Sequence, residues 1–148
     1  MKSPRLFVPG FRAAGVRAGI KTKGPDVALI VSDVPAAIAV NAGVSNVAMG
    51  KRGLRDARAM AQLAANAVGC PESEVFVAST GVIGHPLPME KIERGIAAAA
   101  KALRPDGLAA ASRAIMTTDL VAKTAIARTH IDGRAVTLAG IAKGSGMI

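Results

Sequence analysis

Three short segments of the sequence carry glycines, hydroxyl groups or charged side chains in arrangements that could support chemistry. The first, residues 79–84 (Ser-Thr-Gly-Val-Ile-Gly), stands at the expected exit of a strand. A glycine there lets the backbone turn tightly with its N–H pointing outward, and the hydroxyl of Thr80 beside Gly81 is a second donor. Two convergent donors are what an oxyanion hole requires. An ordinary turn that ends a strand would explain the same residues.

The other two segments offer groups that could bind a polar substrate. Residues 116–119 (Met-Thr-Thr-Asp) place threonine hydroxyls beside a carboxylate, although such clusters also serve as caps and turns. In the glycine-rich segment 140–148, Lys143 has small neighbours that would leave its ammonium group accessible to a carboxylate. The spacing is not that of a phosphate-binding loop, because no Ser or Thr directly follows the lysine. A solvated lysine in a flexible tail is the alternative.

Other kinds of site have little support in the sequence. The two histidines, His85 and His130, are far apart, and no Ser or Cys nucleophile motif lies near either, which argues against a catalytic triad. Cys70 is the only cysteine, and no His or Cys follows it at metal-ligand spacing. We therefore predict no metal site and no internal disulfide, and we interpret Cys70 as a small buried hydrophobic residue.

Hydrophobic periodicity predicts the elements that would position these segments. Continuous or alternating apolar runs indicate strands, and apolar residues at helical spacing indicate helices, one of them stopped by Gly69 and one starting at Pro88. Asp132-Gly133 favours a hairpin turn, whereas residues 7–23 show no clear period. The predicted strands are residues 27–32, 38–41, 74–79, 121–129 and 134–142, and the predicted helices are residues 54–68, 88–103 and 107–115.

Interleaved strands and helices predict an α/β or α+β protein with a layered sheet. The 148 residues fit a single domain, residues 1–148, and a hydrophobic content of 51% excludes wholesale disorder. No apolar run approaches the ~18 residues of a membrane span. The net charge of +9 suits an anionic partner. Nucleic acid fits least, because the positive residues are scattered and three Phe are the only aromatic residues.

In their order along the chain, these segments resemble the ornithine acetyltransferase family, the bifunctional glutamate N-acetyltransferases of arginine biosynthesis. The resemblance is to the N-terminal α chain and covers nearly the whole sequence. Each motif alone is weak, whereas the ordered set is highly specific. The motifs are residues 10–16 with 19–21, residues 41–43 with 45–46, residues 79–84 with 87–89, residues 114–119 with Lys123, and residues 140–147.

The resemblance implies a layered αββα sandwich of the N-terminal-nucleophile-like superfamily, completed by a β chain from the same precursor. The precursor cuts itself between an alanine and a threonine, and the new N-terminal threonine of the β chain becomes the nucleophile. Acetyl then passes from N-acetylornithine to this threonine and on to glutamate in a ping-pong cycle. No cofactor is implied, although acetyl-CoA stays open as an alternative acetyl donor. A cytoplasmic heterotetramer of two α and two β chains is expected, without nucleic acid or membrane partners.

Carried over to this sequence, the family pattern makes the Thr80 hydroxyl and the Gly81 backbone N–H the oxyanion-hole pair. Thr117 and Lys143 correspond to substrate-binding residues. We expect Thr118 and Asp119 to be supporting structure.

The sequence departs from the family pattern in two places. Family members carry a further strand with Thr-Asn and a basic, alanine- and proline-rich stretch before the equivalent of residue 38, whereas Ala37 here runs straight into Ile38. Either the printed sequence omits a segment, or the protein has lost a piece near the rim of the site, which would affect substrate specificity. The sequence also ends before the family's Pro-Asn-Met-Ala-Thr cleavage region, so self-processing is an expectation.

Two alternatives stay open. An amidohydrolase or β-aminopeptidase relative would use the same fold and nucleophile on water or another amine, and fold alone does not separate it from a transferase. A basic nucleic-acid-binding module would be of another class, and its binding would weaken steeply with salt.

Overall fold

A four-stranded sheet lies at the centre of the computed structural model, which describes residues 6–146. Its strand order is β1-β2-β3-β4, with β1 and β3 antiparallel to β2 and with β4 parallel to β3. The parallel pair brings the carboxyl ends of β3 and β4 to the same edge. The strands are Phe11–Val16 (β1), Val27–Ser32 (β2), Ala36–Val44 (β3) and Val75–Val82 (β4).

Both faces of the sheet are covered, as the continuous apolar run of β2 requires. Val27 and Leu29 belong to a core shared with two helices, α1 (Gly50–Val68) and α2 (Met89–Lys101). Ala28 lies on the opposite face, in a second core with the helix α3 (Leu108–Ala114). Successive side chains of a strand point to opposite faces, so one short strand contributes to two cores.

The small residues of this chain allow α3 to lie directly against β1. A Cβ on Gly107 would overlap the carbonyl oxygen of Ala13, and a Cβ on Gly15 would overlap the carbonyl oxygen of Ala110. Such contacts leave no room for a side chain at either glycine. The alanine- and glycine-rich composition is therefore matched to close backbone packing, which needs few large side chains.

A separate two-stranded sheet stands on the α3 side of the main sheet. Its strands, β5 (Lys123–Ile131) and β6 (Arg134–Ala142), are antiparallel and are joined by Asp132 and Gly133. Both turn residues have positive φ, +50° and +73°, as the hairpin prediction requires. The order of layers is thus α1 with α2, the main sheet, and then α3 with the β5–β6 hairpin, which confirms the predicted layered α/β class.

The predicted helices and hairpin are confirmed with small shifts, but one strand was not predicted and two predicted strands were too short. Residues 7–23 contain β1, which the lack of a period concealed. Strand β3 is longer than the predicted residues 38–41 and runs unbroken through Ala37 and Ile38, which pair with both β2 and β4. Strand β4 continues to Val82, so Thr80 and Gly81 lie in a strand and not in the predicted turn.

Smaller differences concern the helices and the cysteine. Helix α1 begins at Gly50, before the predicted start, and ends at the predicted stop, where Gly69 has a φ of +74°. Pro88 immediately precedes the first residue of α2. Cys70 is only partly buried, packed against the core of α1 and α2. Within residues 6–146, no helix has both the length and the apolar composition that crossing a membrane requires.

Candidate functional site

A cavity of about 860 Å³ opens where β3 and β4 end. Segments distant in sequence meet around it: residues 20–23 of the β1–β2 connection, Gly43 of β3, residues 81–82 of β4, residues 117–118, and residues 145–146 after β6. All three segments that the sequence analysis selected therefore contribute to one cavity. Met147 and Ile148, the last residues of the third segment, lie outside the described residues.

Two glycines keep the cavity open at the sheet edge. Gly43 and Gly81 are partners in the parallel pairing of β3 and β4, and their φ angles are +121° and +132°. A Cβ on Gly81 would overlap the backbone of Gly43, and a Cβ on Gly43 would lie 2.9 Å from the side chain of Ile20. Both the backbone conformation and the space thus require glycine, and main-chain atoms rather than side chains face this part of the cavity.

The side chains of Thr80 and Lys143 form a direct hydrogen bond. Lys143 Nζ donates to Thr80 Oγ1 at 2.9 Å, in partly buried surroundings. Because the threonine oxygen accepts this bond, its own proton stays available for another acceptor, and the neighbouring charge polarises the hydroxyl as a donor. Neither residue lines the cavity itself, but Gly81 and Ser145, their near neighbours in sequence, do so.

Asp119 ties the Thr117 segment to the Lys143 segment. Its Oδ1 accepts hydrogen bonds from Lys123 Nζ at 2.5 Å and from the backbone N–H of Gly144 at 2.6 Å, and its Oδ2 accepts from the backbone N–H of Thr117 at 3.3 Å. The side chain is inaccessible to solvent. The hydrogen bond from Lys123, followed by that from Gly144, holds the pKa of the Asp119 carboxyl well below its ordinary value.

A second link joins the same two segments at the cavity wall. The hydroxyl groups of Thr118 and Ser145 lie 2.7 Å apart and share a hydrogen bond. Thr118 and Asp119 thus both connect the Thr117 segment to the Lys143 segment, and Thr118 also lines the cavity.

Sequence reasoning missed the role of Lys21 and of Asp26. The Asp26 carboxylate is fully buried and accepts three backbone hydrogen bonds, from Ala18, Ile20 and Lys21, at 2.6, 2.7 and 3.0 Å. This holds the loop before β2 in a shape that directs Lys21 Nζ to the carbonyl oxygen of Met116, at 2.7 Å. Burial lowers the pKa of Lys21, against the opposing effect of the Asp26 charge. Lys21 entered the sequence analysis only through the family resemblance.

Metal and histidine chemistry find no support in the described part of the chain. There, no group of three or more His, Cys, Asp or Glu side chains could hold a metal ion. His85 and His130 are both exposed, on different elements. What the arrangement offers is a set of hydrogen-bond donors and cations around an open cavity, which suits an anionic or carbonyl-containing small molecule.

The sequence profile of the ArgJ family matches residues 36–148. Among curated relatives, the arginine biosynthesis bifunctional protein ArgJ of Symbiobacterium thermophilum is 45% identical over 171 positions, which cover 94% of this chain and 42% of that protein. The protein of the same name from Synechocystis sp. is 42% identical over 170 positions, which cover 94% of this chain and 41% of that protein. The chain thus spans about two fifths of the length of these curated relatives.

The alignment with the Symbiobacterium relative also contains a gap. Of its 171 positions, about 139 hold residues of this chain, which is 94% of 148 residues, so about thirty positions belong to the relative alone. The relative therefore has about thirty residues within the aligned region that have no counterpart here.

Two solved structures share the fold. The crystal structure of arginine biosynthesis bifunctional protein ArgJ from Bacillus halodurans matches with a TM-score of 0.87 and 37% identity, covering 95% of this chain and 90% of that chain. Ornithine acetyltransferase from Mycobacterium tuberculosis, complexed with ornithine, matches with a TM-score of 0.85 and 33% identity, covering 95% and 91%. These solved chains are close to this chain in length, and the similarity confirms the expected fold class.

Proposed function

The chain belongs to the ArgJ family, and from this premise we propose that it is the α chain of a bifunctional ornithine acetyltransferase and glutamate N-acetyltransferase. The observation that carries the proposal is the convergence of the four residues selected from sequence. Thr80 and Lys143 are hydrogen-bonded to each other, and Gly81 and Thr117 line the adjoining cavity. Three separate parts of the chain supply these residues, so chance proximity in sequence does not explain their meeting.

In this proposal the nucleophile is the N-terminal threonine of the β chain. Its hydroxyl oxygen attacks the acetyl carbonyl carbon of N-acetylornithine, and the hydroxyl proton passes to the threonine's own α-amine. The C–N bond then breaks, the proton moves to the departing nitrogen, and ornithine leaves an acetyl ester on the threonine. The α-amine of glutamate attacks that ester, the C–O bond breaks, and the hydroxyl regains its proton.

In this proposal both half-reactions pass through a tetrahedral oxyanion, which the Thr80 hydroxyl and the Gly81 N–H stabilise. Lys143 donates to the Thr80 oxygen, so the Thr80 proton is free to face the oxyanion. The backbone N–H of Gly81, a residue of the cavity wall, is the second donor in this proposal. Preorganised donors of this kind act on charge that exists only in the transition state.

The charge around the cavity suits the shared feature of the two substrates, an α-carboxylate. Two lysines and no acidic residue line the cavity among residues 6–146, and Lys143 is hydrogen-bonded to Thr80, which precedes the cavity residue Gly81. We assign Lys143 to the carboxylate end of the substrate and Thr117 to hydrogen bonding with its polar groups. These lysines contribute to the net charge of +9 and place part of that positive charge near the cavity, where it attracts an anionic substrate.

The exposed apolar surface supports a partner chain. Phe76 on β4 is 68% exposed, Leu138 on β6 is 71% exposed, and β4 pairs only with β3 among the described strands. Apolar residues at an open sheet edge are typical of an interface. The lengths agree with this, because the Bacillus halodurans chain is covered to 90% whereas full curated relatives are covered to about two fifths, as expected if precursors of this family are divided in two.

We accordingly propose that a β chain from the same precursor covers this surface and that two α and two β chains assemble in the cytoplasm. No nucleic acid or membrane partner is part of the proposal.

The test is acceptor dependence in the complete two-chain enzyme. N-Acetylornithine is supplied with and without glutamate, and the release of ornithine and the formation of N-acetylglutamate are followed. A transferase releases one equivalent of ornithine in the absence of glutamate and turns over only when glutamate is present. Steady ornithine release that ignores glutamate would instead support an amidohydrolase, and no release from any N-acetyl amino acid would overturn both.

A further inference from the structure

The peptide group between Met116 and Thr117 is held at both of its polar atoms. Its carbonyl oxygen accepts a hydrogen bond from Lys21 Nζ at 2.7 Å, and its N–H donates to Asp119 Oδ2 at 3.3 Å. The two atoms point to opposite edges of one rigid plane. Rotation of that plane would therefore break both bonds together, and the direction of the Thr117 side chain depends on it.

Each of the two holding side chains is itself fixed by other contacts. Lys21 belongs to the loop whose backbone N–H groups are bound by the buried carboxylate of Asp26. Asp119 is enclosed by Lys123 and by the N–H of Gly144, the residue after Lys143. The Met116–Thr117 peptide is thus held between two parts of the chain that are each fixed by further hydrogen bonds.

We propose that Lys21 and Asp119 are positioning residues that clamp the Met116–Thr117 peptide and thereby present Thr117 to the substrate. What Thr117 binds rests on the proposed function, but the clamp itself rests on these contacts. Lys21 then acts through geometry, because its ammonium group is directed to a backbone carbonyl, and not as a second ligand for the substrate carboxylate. A direct ligand would act whether or not Thr117 is present, which separates the two roles.

The experiment is a double-mutant cycle on the processed enzyme, with the concentration of active sites set by the burst of ornithine release. Lys21→Met is expected to raise the KM for N-acetylornithine about tenfold, since a bond to a charged group is lost, with kcat changed less than about twofold. When Thr117 is already replaced by alanine, Lys21→Met is expected to raise the KM further by less than about twofold. The effects of the two substitutions are not additive, because the two residues act as one unit. Lys21→Arg keeps a donor and is expected to recover most of the affinity.

A matched control is a lysine of α2 that contacts the same loop. Lys91 Nζ also donates to a backbone carbonyl at 2.7 Å, that of Gly19, but it does not touch the clamped peptide. Lys91→Met is expected to leave KM within about twofold of the wild type, since this bond is exposed and the loop keeps its bonds to Asp26. An equal rise in KM for Lys91→Met would mean that general loop integrity matters, and the clamp would be rejected.

A second measurement separates the clamp from the proposed function. Amide hydrogen exchange of the peptide that contains Thr117 is expected to accelerate at least about tenfold in Asp119→Asn, while exchange in α1 stays unchanged. Lys123 and Gly144 both donate to Oδ1 and retain the single amide oxygen, so the amide nitrogen faces Thr117 and cannot accept its N–H. If wild-type enzyme shows no acetyl transfer, the proposed function fails but this readout still tests the clamp. Unchanged exchange at Thr117, or a full tenfold effect of Lys21→Met in the Thr117→Ala background, would overturn the inference.

Discussion

Replacing Thr80 by alanine removes one of the two proposed oxyanion donors while leaving Gly81 in place. Loss of one such donor typically lowers kcat by about 10²–10³, or about 2.7–4 kcal/mol of transition-state stabilisation. The KM is expected to stay within about threefold of the wild-type value, because the stabilised charge is absent from the ground state. The effect belongs to the donor and not to the methyl group, so Thr80→Ser is expected to keep most of the activity.

The same change has a structural consequence that must be separated from catalysis. Lys143 Nζ loses its acceptor in partly buried surroundings, and an unsatisfied polar group there costs about 1–3 kcal/mol of folding stability. Thr80→Val provides the matched comparison, because valine has nearly the shape of threonine but has no hydroxyl group to donate a hydrogen bond. The two variants Thr80→Ala and Thr80→Val are therefore expected to share the fall in kcat.

The assay is steady-state acetyl transfer from N-acetylornithine to glutamate, with active sites counted by the ornithine burst. Urea unfolding of each variant shows whether the protein is still folded under assay conditions. A rise in KM with unchanged kcat would make Thr80 a ground-state binding residue. Equal impairment of Thr80→Ser and Thr80→Ala would show that the hydroxyl is not the functional group, and either result refutes the assignment.

Three further predictions follow from single contacts. Lys143→Met should raise the KM of both substrates by weakening carboxylate binding and should also lower kcat, because Thr80 loses the donor that polarises its hydroxyl; unchanged KM values in the same assay would remove the carboxylate-binding role. Gly81→Ala should destabilise the fold by about 1–3 kcal/mol or more in urea unfolding, because its Cβ overlaps the backbone of Gly43; wild-type stability would contradict this packing. The lowered pKa of Asp119 contributes stability that is full above its ordinary value of 3.8 and is lost as pH falls through the lower folded value. In Asp119→Asn, the free energy of unfolding measured with urea should therefore fall less steeply as the pH is lowered. An unchanged dependence on acidic pH would show that these bonds do not stabilise the fold.

The fold was largely predictable where the hydrophobic pattern is strong. The alternation of apolar residues in β5 and β6 indicates strands, and the spacing of apolar residues in α1 and α2 indicates helices. Strand β1 was not predictable, because its residues carry little periodicity and its strand conformation depends on pairing with β2 and on the close approach of α3. Strand β4 extends beyond its predicted end because its partner β3 continues alongside it, so pairing overrides the local turn preference of Thr80-Gly81.

For the site, the sequence predicted which residues are candidates but not the contacts that position them. Thr80, Gly81, Thr117 and Lys143 follow from motif resemblance, and the structure brings their segments together around one cavity. The support of Thr117 by Lys21 was not predictable, because it depends on a bond between residues 95 positions apart that leaves no local pattern.

The central claim is that this chain supplies donors to a reactive threonine carried by a second chain from the same precursor. Its most direct test is intact-mass analysis and N-terminal sequencing of the complete purified protein, before and after addition of N-acetylornithine. We predict a companion chain that begins with threonine, gains the mass of one acetyl group, and returns to its original mass when glutamate is added. An undivided precursor, or an acetyl group that never forms on that threonine, would contradict the account.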